Sequence, residues 1–415
     1  MASAYELTPS LARRLAITCQ RLADPRPSAD ANGIIDVIKN IGCLQIDPMS
    51  VVAPSHLLVL WSRVGNYDIS LLDSLLWKEH ALFEDWAHAT SIVLTEDYPV
   101  FSTMKRNYGK GDSAWARRVR GWIKANNALH RHVLGELRRR GPLALEDFDD
   151  VSVKPWRSSG WTSGRNVDMM LTFLSAQGKV VVAGRSGRRK MWDLAERWLP
   201  ESTPRDRLSW HDMVYRAAQR SLRALGVATA KDIEGYYIRH CYPGLPKILL
   251  ELELEGLIER VQIRDSDSGR IWLGEWYVHK NDLPLVDKLS SGNWGPRTTL
   301  LSPFDNLIYE RRRTERVFNF EFSLEIYLPK AKRRYGCYVM PIVHGDQLIG
   351  RIDPRMDRER KRLSVNAIYA ERDAPMTAET GEAVAGAIRD LGTFLGAEEI
   401  TFGRRIPEGW KMTIH

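Results

Sequence analysis

Cysteine is scarce in this 415-residue chain, and the four present, Cys19, Cys43, Cys241 and Cys337, stand far apart. There is no Cys-x-x-Cys pair and no histidine at zinc-finger spacing, which argues against a structural zinc and a disulfide framework alike. Each is expected to be a small core residue. Long apolar runs are missing too: hydrophobic residues make up 44% and charged residues 27%, but no stretch reaches the roughly 18 to 20 residues of a membrane helix. Met1 to Ser10 lacks the basic start and apolar stretch of a secretory signal, so a cytoplasmic location is expected. Neither a Gly-x-x-x-x-Gly-Lys-[Ser/Thr] phosphate loop nor carboxylates clustered for Mg²⁺ is found. No cofactor and no metal are called for. Negative charge is in deficit, with 52 Asp and Glu against 60 Lys and Arg and a net charge of +8.

The surplus sits in short runs: Arg185 to Lys190, Arg311 to Arg316, Lys330 to Tyr335, and the mixed stretch Arg351 to Arg362. One such run is usually a solvated loop. Several in a chain of net positive charge favour nucleic acid as partner.

Length allows about three domains at roughly 150 residues each, and an internal repeat gives them shape. Leu137 to Phe148 lies on Leu222 to Ile233 without a gap, each reading as the end of one helix, a glycine turn and the start of the next. In each copy a third amphipathic helix follows, Met169 to Gln177 and Pro246 to Glu255, ending at Gly178 and Gly256. Two β-rich segments separated by a polar turn come next. Three helices and a hairpin is the order of a winged helix. A third copy is expected at the N-terminus, with helices near Pro9 to Leu22, Ala29 to Ile41 and Ile69 to Glu79 and a strand pair across Ala81 to Leu94. After the Gly/Pro-rich boundary Ser290 to Pro296 the texture alternates, in Val317 to Tyr327, Gly336 to Val343, Gln347 to Ile352 and Leu363 to Tyr369. This predicts antiparallel strands in a small barrel, with a helix at Thr377 to Leu395 and a last strand near Glu399 to Phe402. The expected class is α+β, with domains at 1–120, 121–200, 201–290 and 291–415.

Tandem winged helices serve regulators and interaction platforms as well as enzymes. The clearest polar intrusion into an apolar stretch is Ile41-Gly-Cys-Leu-Gln-Ile-Asp-Pro-Met49, where Gln45 and Asp47 share one face of an extended segment. Asp before Pro also starts turns and Gln also satisfies backbone groups, so spacing alone leaves a structural and a catalytic role open.

Leu44-Gln-Ile-Asp47, Trp86-Ala-His88, Leu301-Ser-Pro-Phe-Asp305, Lys332-Arg-Arg-Tyr-Gly336 and Gly350-Arg-Ile-Asp353, in that order over nearly the whole chain, resemble the AlkZ-like winged-helix DNA glycosylases, and among them the YcaQ (AlkX) branch. The resemblance implies three tandem winged helices around a C-terminal β-barrel. It also implies a catalytic Gln-Φ-Asp pair at Gln45 and Asp47, excision of N7-alkylguanine and unhooking of interstrand crosslinks. The partner is then double-stranded DNA carrying such lesions, bound by a nucleoid-associated monomer. Trp86 and His88, the wing residues Arg188 and Arg189, and Lys332, Arg333, Arg334 and Tyr335 are the candidate DNA contacts. Ala89 stands where some relatives carry an acidic residue, so no role transfers to that position. Chemically the pair is apt. N7-alkylguanine is already cationic and leaves without a general acid, so the enzyme needs a carboxylate to stabilise the sugar cation and accept a proton from water, and an amide to orient that water. No lysine nucleophile is required, which implies base removal without strand cleavage. A transcription regulator without chemistry is the alternative. Winged helices that differ within one chain count against it, because a regulator usually pairs two identical modules on a palindrome.

Overall fold

The computed structural model describes residues 5–158, 163–187 and 189–414. It gathers into two units: the chain through Leu72, Ala87–Ile92 and the chain from Val214 onward, and secondly Asp73–Trp86 with Val93–Met213.

In the first unit, helix Pro9–Cys19 starts where Thr8 accepts a hydrogen bond from Leu11 N–H, with proline at the first helical position. Asp30 caps Ala31–Ile41 in the same manner. That helix stops at Gly42, whose φ of +84° would strain any side chain and where a Cβ would lie a tight 3.1 Å from the Tyr237 ring. Strand Leu44–Gln45 follows at once and pairs antiparallel with Ser91 and Ile92. Helix Ser55–Val64, which the sequence pattern did not reveal, comes next. Tyr5–Leu7 runs parallel to Ile258–Ile263, which pairs antiparallel with Trp276–His279, and that in turn with Val227–Thr229. Leu15, Ile17, Val261, Trp276, Phe320 and Val343 belong to one buried cluster, so the N-terminal helix, this sheet and the C-terminal sheet share a core.

The second unit holds helices Ala114–Ala125, Asn127–Arg140 and Asn166–Ala176 and a hairpin, Val180–Ser186 with Arg189–Leu194, flanked by Leu143–Ala144. Trp122, Trp156 and Phe173 fill its core. The gapless repeat survives in atomic detail. Gly141 and Gly226 both take positive φ at a helix end, and Asp147 and Asp232, six residues past each glycine, accept the backbone N–H of Ala144 and Thr229 at 2.8 and 2.9 Å.

The expected C-terminal barrel is corrected to an open sheet. Thr298–Leu300, Met340–His344, Gln347–Asp357 and Arg362–Ala370 pair antiparallel in sequence, and Glu399–Arg405 joins the last in parallel. Among the described residues the two outer strands do not meet. Val317 to Tyr327, expected as a strand, is the tail of helix Arg311–Phe318, then chain without a ladder and a 3₁₀ turn at Glu325–Tyr327. Its alternation is real, since Phe320 and Phe322 are buried, but their faces are taken by guanidinium groups, Arg351 over Phe320 at 4.2 Å and Arg311 over Phe322 at 4.5 Å. The segment fills the core instead of closing a barrel. Part of the basic run Arg311 to Arg316 is likewise taken up by the protein, with the buried Arg313 donating to the Leu225 carbonyl at 3.0 Å and the exposed Arg316 to the buried Asp232 at 2.6 Å.

Arg63, in the last turn of Ser55–Val64, reaches Asp305 through two bonds of 2.7 and 2.9 Å, both side chains fully buried. It also donates to the Gln20 and Val59 carbonyls at 2.8 and 3.0 Å. Removing one charge strands the other, which typically costs about 3–5 kcal/mol, whereas replacing both by apolar groups is far milder. Asp305→Asn is therefore expected to lower the urea midpoint sharply, and Arg63→Met with Asp305→Leu to recover much of the loss. A single variant as stable as wild type would show that the pair does not anchor the fold.

Candidate active site

Gln45 and Asp47 are presented by a turn that Ser55 ties together. The buried Ser55 hydroxyl donates to the Gln45 carbonyl at 2.6 Å and accepts the Asp47 N–H at 3.0 Å, and Ile46 N–H donates to the Thr90 carbonyl at 2.8 Å. Asp47 Oδ1 accepts the Met49 N–H at 2.9 Å, the turn that an Asp-Pro pair favours. Beyond it, Val51 accepts from Met356 N–H at 3.1 Å, and Arg358 donates to the Ser50 hydroxyl and the Val52 carbonyl at 3.1 and 2.8 Å. The turn is pinned to a helix start on one side and to the C-terminal sheet on the other.

Asp47 is half-buried, and no cation pairs with it among the described residues. Burial pushes its carboxyl above the usual range, only partly offset by the Met49 N–H. Its charge reaches the exposed Tyr327 and the buried Tyr338, whose phenols burial raises and Asp47 raises further. Behind Gln45 lies His88, 1% exposed. His88 Nε2 is 3.3 Å from Gln45 Oε1, its Nδ1 is 3.3 Å from Cys43 Sγ, and Tyr309 packs on the ring with centroids 3.9 Å apart. Burial, with Arg239 adding to it, lowers the imidazole to about 3. His88 is thus neutral at physiological pH and faces Gln45 from inside. Cys43 and Cys19 are buried free thiols.

A cleft of about 760 Å³ opens beside this turn, lined by Ser50 and Val51 and by Lys330, Arg333, Arg334, Tyr335, Arg355 and Tyr369. Lys332 and Arg334 are exposed. Arg333 is tied back to the Leu328 carbonyl at 2.9 Å, and Tyr335 lies between Arg334, at 4.8 Å, and Arg351, at 4.2 Å. The loop's shape depends on Gly336, at φ +151°, where a Cβ would fall 2.2 Å from the Asp353 carboxyl carbon. Of the remaining candidates, Trp86 is 66% exposed in the second unit, and Arg189 is exposed on that unit's hairpin. Arg188 lies outside the described residues. Among the described residues no group of His, Cys, Asp and Glu is arranged to hold a metal, and no helix is long and apolar enough to cross a membrane.

The family model for DNA glycosylase AlkZ-like proteins matches residues 38–394, a span that takes in the Gln45–Asp47 turn, His88 and the basic cleft. This chain belongs to the AlkZ-like DNA glycosylase family. It is an enzyme that hydrolyses N-glycosyl bonds, acting in DNA repair with DNA as its substrate. The regulator without chemistry is thereby set aside. The fold is likewise similar to that of the Streptomyces sahachiroi DNA glycosylase AlkZ, at a TM-score of 0.65 and 15% identity, over 97% of this chain and 100% of that one.

In this AlkZ-like glycosylase three members of the site escaped sequence reasoning. Ser55 could have been found from Pro54-Ser55 ahead of an apolar run, a helix-start signal. Cys43 reads as core, which it also is, and nothing in sequence marks Tyr309 as the partner of His88.

The raised Asp47 carboxyl has a consequence for stability. An acid whose folded pKa lies above its unfolded value is penalised once ionised, so stability is full below the unfolded pKa and falls as pH rises through the folded one. Asp47→Asn, which keeps the acceptor for Met49 N–H, is expected to melt above wild type at pH 7, with the gap closing below about pH 4. A variant that melts lower at pH 7 would mean the ionised carboxylate is held by favourable contacts.

Proposed function

We propose that this DNA glycosylase releases N7-alkylguanine and unhooks N7-linked interstrand crosslinks, leaving an abasic site with the strand intact. The observation that carries the reading is the pairing of an unneutralised carboxylate with a neutral histidine. A glycosidic bond to an uncharged purine needs an acid, and His88, at about 3, is neutral near pH 7 and has no imidazolium proton to transfer. A base that is already cationic needs none. Asp47 stabilises the oxocarbenium-like sugar and takes the proton of the attacking water, and Gln45 orients that water or a neighbouring phosphate.

Access favours bulky lesions. Gln45 and Asp47 are both partly exposed, on a turn beside a basic cleft, so a guanine tethered to the opposite strand is reached without being swallowed whole. Lys330, Lys332, Arg334 and Tyr335 contact the backbone there, with Trp86, Arg189 and Arg188 as further DNA contacts. The helix, helix, helix, hairpin order and its gapless repeat support winged helices, with one at 1–120, 121–200 and 201–290 ahead of a sheet domain at 291–415. A monomer working in the cytoplasm at the nucleoid suits tandem modules in one chain.

The test is a duplex with one N7-methylguanine, incubated with enzyme and then treated with alkali. Wild type is expected to give alkali-dependent cleavage, with a rate that rises as Asp47 ionises and shows no inflection near pH 6.5. Asp47→Asn should bind the duplex normally and release no base, and equal cleavage by the variant would remove Asp47 from the chemistry. Separately, glutamine at Lys330, Lys332 and Arg334, with Arg333 left in place, is expected to weaken binding to all duplexes alike. The slope of log affinity against log salt should fall by about 0.9 for each phosphate that the variant no longer neutralises, and an unchanged slope would place the DNA elsewhere.

A further inference from the structure

If Gln45 acts on DNA or water, the orientation of its amide decides what it does, because one end only accepts and the other only donates. Three contacts behind it fix that orientation. Cys43 Sγ lies 3.3 Å from His88 Nδ1, and His88 Nε2 lies 3.3 Å from Gln45 Oε1. The Asn306 amide, 4.0 Å from the sulfur, donates to the Cys43 carbonyl at 2.9 Å. Asn306 and the His88 N–H act on the sulfur as donors, while the Ser91 hydroxyl gives its proton to the Ala89 carbonyl at 3.0 Å, so the thiol proton is directed to Nδ1, the ring nitrogen 3.3 Å away. With Nδ1 accepting, the neutral ring carries its proton on Nε2 and gives it to Gln45 Oε1. The opposite tautomer would set two acceptors, Nε2 and Oε1, against each other.

We infer that Cys43 and His88 form a positioning relay that holds the Gln45 carbonyl inward and turns its NH₂ toward the DNA. The inference rests on Gln45 being part of the site. The ionisation states agree with the geometry: burial pushes the Cys43 thiol up to about 12, so it keeps its proton, and holds His88 near 3, so the ring stays neutral. Tyr309 confines the ring, packing on it at an interplanar angle of 36° and donating from its hydroxyl to the His88 carbonyl at 3.4 Å, while Arg239 holds that hydroxyl at 2.8 Å.

The Gln45 Nε2 has no protein partner among the described residues, so both of its N–H groups are available. Gln45 therefore donates and does not take a proton. It holds a lone pair of the water or an oxygen of the DNA backbone, and deprotonation falls to Asp47 alone. As the water oxygen bonds to C1′, the C1′–N9 bond breaks, its electron pair goes to the purine and the water proton goes to the Asp47 carboxylate.

Two measurements on the full-length enzyme test this. Long-range ¹⁵N–¹H spectra of histidine-labelled protein, with His88 assigned by its loss in His88→Gln, should show protonated Nε2 and bare Nδ1, unchanged from pH 5 to 8. In single-turnover release of N7-methylguanine at saturating enzyme, Cys43→Ser keeps a donor and should stay within about threefold of wild type. Cys43→Ala should fall about tenfold at unaltered DNA affinity. Gln45→Glu, which still accepts from His88 but cannot donate, should fall at least as far as Gln45→Ala. A protonated Nδ1, a Cys43→Ala rate equal to wild type, or full activity in Gln45→Glu would each overturn the relay. Wild type that leaves N7-methylguanine in place while showing the Nε2–H spectrum would overturn the lesion reading and support the relay.

Discussion

A guanidinium and a carboxylate with no access to water, Arg63 and Asp305, decide where the site sits. Arg63 leaves the C-terminal turn of the Ser55–Val64 helix and Asp305 enters from the chain ahead of the C-terminal sheet, so their bidentate contact fixes the helix against a segment more than 200 residues away. Arg297, buried and lowered to about 9, adds bonds to the Ser62 and Arg63 carbonyls at 2.8 and 3.2 Å, meeting the carbonyls that a helix end leaves unpaired. With its far end clamped, the helix offers Ser55 at its near end as a fixed post, and on that post hang the Gln45 carbonyl and the Asp47 N–H. Two buried arginines are costly to desolvate. They stand at the end of the helix whose start holds the Gln45–Asp47 turn in place.

What was legible in the sequence follows from how far each signal reaches. The repeat at Leu137 and Leu222 is local: a helix end and a positive-φ glycine are set by neighbours in the chain, and both stand where the pattern put them, with an aspartate six residues past each glycine that the pattern did not single out. The terminal helix Ala378–Leu395 and the strand after it were legible for the same reason. The alternating Phe320 and Phe322 were misleading because alternation reports which face is buried and not whether a backbone partner exists. Arginine faces, distant in sequence, took the place of that partner. Likewise a run such as Arg311 to Arg316 looks solvated until Asp232 and the Leu225 carbonyl are found beside it.

The site shows the same division. Gln45 and Asp47 stood out as polar residues in an apolar stretch, because that contrast is written in adjacent letters. Ser55, Cys43 and Tyr309 did not, since each is ordinary in its own neighbourhood and matters through a bond across the fold. His88 was legible as a candidate but not as to its direction. Its sequence neighbours suggest a wing that touches DNA, whereas burial by Cys43, Tyr309 and the strand pairing of Leu44–Gln45 turns the imidazole toward the protein side of Gln45.

Charge placement reconciles two demands that oppose each other. Affinity for a polyanion asks for lysine and arginine, while a transition state in which the sugar becomes cationic is destabilised by cations close to it. The protein answers by distance and by occupation. Among the described residues no cation is paired with Asp47, and Arg358 on the neighbouring strand end commits its guanidinium to the Ser50 hydroxyl and the Val52 carbonyl. Exposed positive charge stands at Lys332 and Arg334, on the loop that borders the cleft. The raised Asp47 carboxyl follows from that isolation: with no cation paired to it, the Met49 N–H offsets only part of the cost of its burial.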